Sequence, residues 1–139
     1  MSGPRLIMYH KQATSARTRF LKLPYGGVCG FEALPEGASL ASGDGESENL
    51  VSHPAPLLRE AESQLGLATG SLEAESGYRC KINWDEGSAE VYLAHFTSID
   101  PPFDEVSAQG ATFIDLTQAR NLPQVELALL RLAYEHILG

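Results

Sequence analysis

The clearest alternation of apolar and polar positions lies in residues 78–84, where Arg, Lys and Asn separate the less polar side chains. A period of two predicts a half-buried strand. Residues 85–88 are typical of a turn, and residues 89–97 alternate again, which predicts a return strand. Pairing residue 84 with residue 89 predicts a hairpin in which Ile82 opposes Val91, with the apolar positions of both strands on one face.

Three apolar-rich segments near the N-terminus also predict strands, at residues 5–10, 18–23 and 28–34. Pro24 and the Gly-Gly pair at residues 26–27 separate the last two segments. Since proline presets φ and glycine accepts positive φ, these residues predict a hairpin turn.

Helical patterns occur farther along the chain. Residues 56–66 predict a helix, because their apolar residues share one face, a proline lies in the first turn and a glycine ends the segment. Residues 100–110 predict a short helical segment with Asp100 as its N-cap. Residues 111–116 predict one more strand.

The last predicted helix, residues 123–139, is apolar on most of its sides. A surface helix has a single apolar stripe, so this helix needs cover on more than one side. We expect the sheet to cover one side, and either the first helix or a second subunit to cover another. The candidate interface residues of a homodimer are Leu127, Leu130, Tyr134 and Ile137.

Strands that form hairpins, rather than alternating with helices, predict an α+β fold. We expect an antiparallel sheet with an N-terminal β region, a mid-chain helix and a long apolar C-terminal helix, with the helices packed on one face. The chain is expected to be a single domain over residues 1–139. Within it we predict a basic β region at 1–35, a flexible acidic loop at 36–54 and a helix–hairpin–strand–helix core at 55–139.

Charge is distributed unevenly along the chain, whose formal net charge is −8. Residues 1–31 contain five basic residues and no acidic one, which predicts a basic arm on an acidic body. An acidic body repels nucleic acid, so a nucleic-acid role would rest on the arm alone and is disfavoured. The arm also has the composition of an organelle targeting segment, and that alternative stays open.

Other partner classes are constrained by the composition. No apolar run approaches the length of a membrane span, so we predict no membrane partner. The two cysteines, Cys29 and Cys80, form neither a disulfide scaffold nor a CxxC pair. Their number predicts reduced thiols in a cytoplasmic protein.

The stretch KLPYGGVCGFE, residues 22–32, raises three possibilities. A phosphate loop would lead into Lys-Ser/Thr and a helix, but Pro35 follows too closely. A reactive Cys29 would need a nearby histidine or cation that lowers its pKa. A turn is favoured, and an anionic-ligand site beside it is kept as an alternative. The candidate contacts of that site, or of a partner, are Arg17, Arg19, Lys22, Tyr25 and Cys29.

No catalytic constellation is recognisable, since the four histidines are scattered and neither HExxH nor GxSxG occurs. We therefore predict no catalytic residue, no metal and no cofactor. The preferred function is a small non-catalytic interaction or adaptor module that binds a protein partner or its own copy. The alternatives are a small enzyme or anion binder with a site near residues 22–32, and a nucleic-acid binder that uses the arm.

Overall fold

A sheet of mixed direction lies between helices in this protein, which is described by a computed structural model. The described residues are 4–12, 17–31, 33–40, 55–75, 78, 80–85 and 87–138. The strands are β1 (Arg5–Lys11), β2 (Thr18–Lys22), β3 (Ser39–Leu40), β4 (Leu72–Ala74), β5 (Cys80–Trp84), β6 (Gly87–Phe96) and β7 (Thr112–Ile114). The helices are α1 (Ala55–Leu65), α2 (Phe103–Ala108) and α3 (Gln124–Leu138), and a 3-10 helix spans Leu116–Ala119.

The strand order is β3-β5-β6-β1-β2-β7, and β4 pairs with the end of β6. Strands β1 and β6 run parallel, with Arg5 opposite Val91 and Tyr9 opposite His95. The other pairs of the described strands are antiparallel. The predicted α+β fold with a C-terminal helix on the sheet is confirmed, and its sheet is mostly antiparallel with this one parallel pair.

Helices pack on both faces of the sheet, so the expectation that they share one face is wrong. Helix α3 packs on the face that contains Ile7 and Tyr9 of β1. Helix α1 packs on the opposite face, which contains Leu6 and Met8. A strand buried on both faces is a continuous apolar run, and this explains why β1 does not alternate in polarity.

The predicted hairpin forms between β5 and β6, but its register differs by two residues from the expected one. Cys80 pairs with Val91 and Ile82 pairs with Ala89. Because side chains alternate with a period of two, a two-residue shift keeps every side chain on its predicted face. The connection is tighter than expected because Trp84 pairs with Gly87, which leaves only two residues between the paired positions.

The strand predicted at residues 28–34 is absent from the described part of that segment, residues 28–31 and 33–34. Gly30 has a φ of 83°, which an extended strand does not contain. Its N–H donates to the carbonyl oxygen of Leu6 at 3.0 Å, so the segment crosses the beginning of β1.

Two other local predictions also change. Asp100 does not cap α2, because Pro102 occupies the N-cap position and makes no side-chain cap. The Asp100 carboxylate instead accepts a hydrogen bond from Gln12 at 3.0 Å. Of the loop predicted at 36–54, residues 41–54 lie outside the described residues, and β3 at its start pairs with β5.

The three described helices are all too short or too polar to cross a lipid bilayer.

Candidate functional site

The glycine-rich stretch forms a tight turn, as its sequence predicts. The N–H of Leu23 donates to the carbonyl of Gly27 at 2.7 Å, and the N–H of Gly26 donates to the carbonyl of Leu23 at 2.8 Å. Gly26 has a φ of 101°, a value that a residue with a side chain adopts only at a cost. The turn presents the backbone of residues 25–28 to the first turn of α3.

Glu126 of α3 packs directly against this turn. It is 1% exposed, and its Oε1 accepts a hydrogen bond from the backbone N–H of Val28 at 2.8 Å. A Cβ atom at Gly27 would lie 2.5 and 2.7 Å from the two carboxylate oxygens, and it would also overlap the Tyr25 ring. Only glycine at position 27 therefore allows the carboxylate to approach the turn so closely.

The Tyr25 side chain is fixed by the backbone of Cys29. Its hydroxyl donates to the Cys29 carbonyl at 3.0 Å and accepts from the Cys29 N–H at 3.1 Å. Arg5 also donates to that carbonyl, at 3.1 Å, and so closes the far side of the turn. Burial raises the pKa of Tyr25, and the negative charge of Glu126 raises it further.

The environment of the turn also changes the acidity of two further groups. Burial raises the pKa of the fully buried Cys29 thiol to about 12, which keeps it protonated and makes it a packing residue rather than a nucleophile. Burial likewise raises the pKa of Glu126, although the N–H of Val28 and the charge of Arg5 oppose this effect.

A cavity of about 370 Å³ opens between the turn, residues 33–38 and residues 123–126. The lining residues include Tyr25, Leu34 and Val125, and also the acidic Glu36 and the buried Glu126. None of the described residues that line the cavity is Lys, Arg or His. The cavity therefore combines an aromatic ring, aliphatic surface and acidic groups.

The residues predicted to contact an anion or a partner do not converge in the structure. Tyr25 lines the cavity, while Cys29 is buried behind it. Arg17 pairs with Asp115 at 3.4 Å. The Arg19 guanidinium lies 5.5 Å from the centre of the Phe103 ring and donates a hydrogen bond to the side chain of Gln12. Lys22 lies opposite Thr112 of β7. The cations therefore follow β2, away from the cavity lining.

The candidate interface residues of α3 pack on the core of their own chain. Leu130 is fully buried, and Leu127, Tyr134 and Ile137 are partly buried against the same cluster. Strand β3 also contacts α3. These four residues are thus covered within one chain, whereas Leu132 and Leu138 of the same helix are exposed.

A second titratable cluster, centred on Glu75, lies near the other end of α3. Its Oε2 accepts a hydrogen bond from the Tyr9 hydroxyl at 2.8 Å and lies 2.6 Å from Nδ1 of His95. His136 Nε2 lies 3.6 Å from Oε1 of Glu75, and Glu73 lies 3.4 Å from His95 Nε2. Burial raises the pKa of Glu75, but the hydrogen bonds from Tyr9 and His95 outweigh burial, and the pKa is lowered.

Sequence reasoning singled out the turn but not its carboxylate partner. Glu126 is not among the predicted site residues, because no short-range pattern connects it with Val28, 98 residues away. The one available signal was a glutamate in the first turn of a helix that is apolar on most of its sides. Within the described residues, no group of three or more His, Cys, Asp or Glu side chains is placed to hold a metal ion.

Comparison with known proteins relates this architecture to a solved enzyme structure. No protein-family model and no curated protein sequence matches the chain. Among solved structures, the chain is similar to the crystal structure of the Ap4A hydrolase of C. elegans, with a TM-score of 0.59 and 17% sequence identity. The similarity covers 99% of this chain and 96% of the hydrolase chain, so the two share the fold over nearly their whole length.

This finding corrects the functional prediction. A non-catalytic interaction or adaptor module, homodimeric through its C-terminal helix, is the wrong reading, because the fold matched over the full chain is that of an enzyme. The alternative of a small enzyme or anion binder with a site near residues 22–32 agrees better with the comparison.

Proposed function

We propose that this protein is a small enzyme that binds a nucleotide-type polyphosphate beside residues 22–32 and hydrolyses a phosphoanhydride bond in it. The observation that carries the proposal is a cavity of about 370 Å³, formed by this turn on a fold similar to that of an Ap4A hydrolase. Concave sites with apolar walls and a few polar groups are the usual places for small ligands.

The cavity supplies groups suited to a nucleotide. The Tyr25 ring, Leu34 and Val125 form surfaces on which an aromatic heterocycle can lie. The first hydrogen bond of α3 runs from the Leu127 N–H to the Pro123 carbonyl at 2.9 Å. The N–H groups of the preceding residues of the helix have no acceptor within it, and they are available to oxygen or nitrogen acceptors of a ligand.

The reaction requires only water as a second reactant. A water oxygen bonds to phosphorus, and the bridging P–O bond breaks with its electron pair passing to the leaving phosphate. The proton lost by the water passes to the leaving phosphate or to solvent.

The proposal is tested by incubating the purified protein with Ap4A, and separately with ATP, in buffer containing Mg²⁺, and by separating the products chromatographically. The matched variants are Ala33→Trp, which fills the mouth of the cavity from an exposed position, and Ala108→Trp, at an exposed position of α2 outside it. We expect turnover by the wild type and by Ala108→Trp, and at least a roughly tenfold lower kcat/KM for Ala33→Trp.

Two results would contradict the proposal. Absence of turnover with both substrates would refute hydrolysis of these nucleotides. Turnover that is unaffected by Ala33→Trp would place the reaction outside the cavity.

A further inference from the structure

Arg5, the first residue of β1, is not among the residues that line the cavity, but it contacts the segments that form two of its walls. Its Nη1 donates to the carbonyl of Cys29 at 3.1 Å, and its Nη2 lies 3.5 Å from the carbonyl oxygen of Ala33. Cys29 follows the glycine-rich turn, and Ala33 begins the wall at residues 33–38. One planar guanidinium, which carries several donors, therefore bridges the two walls.

The bond from Arg5 to Cys29 also fixes the aromatic wall of the cavity. The Tyr25 hydroxyl donates to the same Cys29 carbonyl at 3.0 Å and accepts from the Cys29 N–H at 3.1 Å. A displacement of the Cys29 backbone would therefore move the Tyr25 ring. The next residue, Gly30, donates its N–H to the carbonyl of Leu6 at 3.0 Å, so this segment is bonded to the beginning of β1 at two adjacent residues.

Gly30 leaves the space that the Arg5 side chain occupies. A Cβ atom at Gly30 would lie 2.9 Å from Cδ and 3.1 Å from Nη1 of Arg5, which is closer than ordinary van der Waals contact. An added methyl group would push the guanidinium away from the Cys29 carbonyl. This substitution disturbs the bridge without removing the charge of Arg5.

The charge of Arg5 acts on the third wall of the cavity, the first turn of α3. Burial raises the pKa of Glu126, and the positive charge of Arg5 opposes this rise. An ionised carboxylate is a stronger acceptor than a neutral one, so Arg5 supports the hydrogen bond from the N–H of Val28 that joins the turn to α3. Arg5 thus influences the turn, residues 33–38 and α3 at once.

We propose that Arg5 is a positioning residue that keeps the walls of the cavity at the spacing the ligand requires, without touching the ligand. The inference rests on the proposed function, which makes the cavity the ligand site. A wall that occupies its binding position for only part of the time weakens the apparent affinity by that fraction. The rate of the bound complex is unaffected, so loss of Arg5 should raise KM much more than it lowers kcat.

The kinetic test compares Arg5→Gln with Arg131→Gln, a matched change at an exposed position of α3. With Ap4A as substrate, Arg5→Gln should raise KM about tenfold to a hundredfold, the range for one hydrogen bond from a charged group. It should change kcat by less than about threefold, and Arg131→Gln should change neither constant. Arg5→Lys keeps the charge but not the planar fork of donors, so its KM should lie between those of wild type and Arg5→Gln.

Hydrogen–deuterium exchange reports on the walls without any turnover. In Arg5→Gln the amides of residues 33–38 should exchange faster than in the wild type, whereas those of residues 6–9, which pair with β6, should keep their rates. Gly30→Ala should give the same pattern, and it keeps the test available if Arg5→Gln does not fold. Its control is Gly70→Ala, which has a similar positive φ but no atom within 4 Å of its Cβ position, and which should leave residues 33–38 unchanged.

Wild-type exchange at residues 33–38 in both Arg5→Gln and Gly30→Ala would overturn the proposal. Exchange that accelerates equally in β1 would overturn it as well, since Arg5 would then only stabilise the fold. Full recovery of KM in Arg5→Lys would show that charge alone acts and would refute the bridge. The two proposals fail separately: absence of turnover by the wild type refutes hydrolysis while the exchange experiment still decides the role of Arg5, and turnover with wild-type KM in Arg5→Gln refutes positioning alone.

Discussion

Replacement of Gly27 by alanine is the most direct test of how the candidate site is built. The new Cβ atom would lie 2.5 and 2.7 Å from the oxygens of Glu126, well inside van der Waals contact. Overpacking of this kind costs about 1–3 kcal/mol. If Glu126 moves away, the N–H of Val28 loses its acceptor, which adds about 1–3 kcal/mol for an unsatisfied buried donor.

We therefore expect Gly27→Ala to lower the free energy of unfolding by about 2–6 kcal/mol, the lower values applying if Glu126 stays in place and keeps its hydrogen bond to Val28. For a chain of this length, that corresponds to a decrease in Tm of roughly 7–20 °C. Urea denaturation can be followed by the fluorescence of Trp84, the single tryptophan of the chain.

Gly26→Ala provides the matched control. Gly26 has a φ of 101°, but no atom lies within 4 Å of the position that its Cβ would occupy. The control should therefore cost only the left-handed backbone conformation, about 1–2 kcal/mol. Both substitutions restrict the unfolded chain to the same extent, so the cost of the clash is the difference between them plus the backbone cost of Gly26→Ala.

A loss of stability in Gly27→Ala no greater than that in Gly26→Ala would refute this account of the turn. A second check uses the variant Glu126→Ala, which removes both carboxylate oxygens. In that background Gly27→Ala should cost less by about 1 kcal/mol or more, because contacting residues couple in a double-mutant cycle.

Three further predictions concern other charged and titratable groups. Glu62→Ala should lower the free energy of unfolding by about 2–4 kcal/mol, because two backbone N–H groups lose their acceptor, whereas the exposed Glu60→Ala should change it by less than about 0.5 kcal/mol in urea denaturation. The folded pKa of Glu75 is lowered, so its contribution to stability is present above the unfolded pKa of about 4.3 and lost as the pH falls through the folded value. The stability gap between wild type and Glu75→Gln, measured by denaturation at several pH values, should be widest near pH 7 and close toward pH 3, and a gap that widens in acid would contradict this. Cys29, with a pKa of about 12, should resist maleimide at pH 8 while the partly exposed Cys80 reacts; comparable labelling of both thiols by mass spectrometry would show that Cys29 is not buried.

Local patterns in the sequence predicted most of the longer elements, but they missed β3 and β4, predicted a strand at 28–34 that its described residues do not form, and did not give all of the pairings. The alternation in residues 78–84 correctly assigned the faces of β5, because a register shift of two preserves them. The register itself depended on the length of the turn between Trp84 and Gly87, which alternation does not encode. The parallel pairing of β1 with β6 joins segments about 85 residues apart, and hairpin reasoning considers only neighbouring strands.

The candidate site was predictable only in part, for a similar reason. Glycine and proline content predicted the turn, since both act through their own backbone. The requirement for glycine at position 27 arises from Glu126, which lies close in space but far along the chain. Basic residues near the turn in sequence suggested an anion site, but the strand direction of β2 carries Arg19 away toward Phe103.

The apolar character of α3 has a structural explanation in how the helix is held. Near its N-terminus, Glu126 accepts a hydrogen bond from the turn. Near its C-terminus, His136 lies 3.6 Å from Glu75, which also binds Tyr9 of the sheet. Between these two polar attachments, Leu129, Leu130 and Ala133 are buried against the sheet. Polar contacts at both ends and a buried apolar face between them therefore fix the position of the helix on the sheet, and this burial is why so much of its surface is apolar.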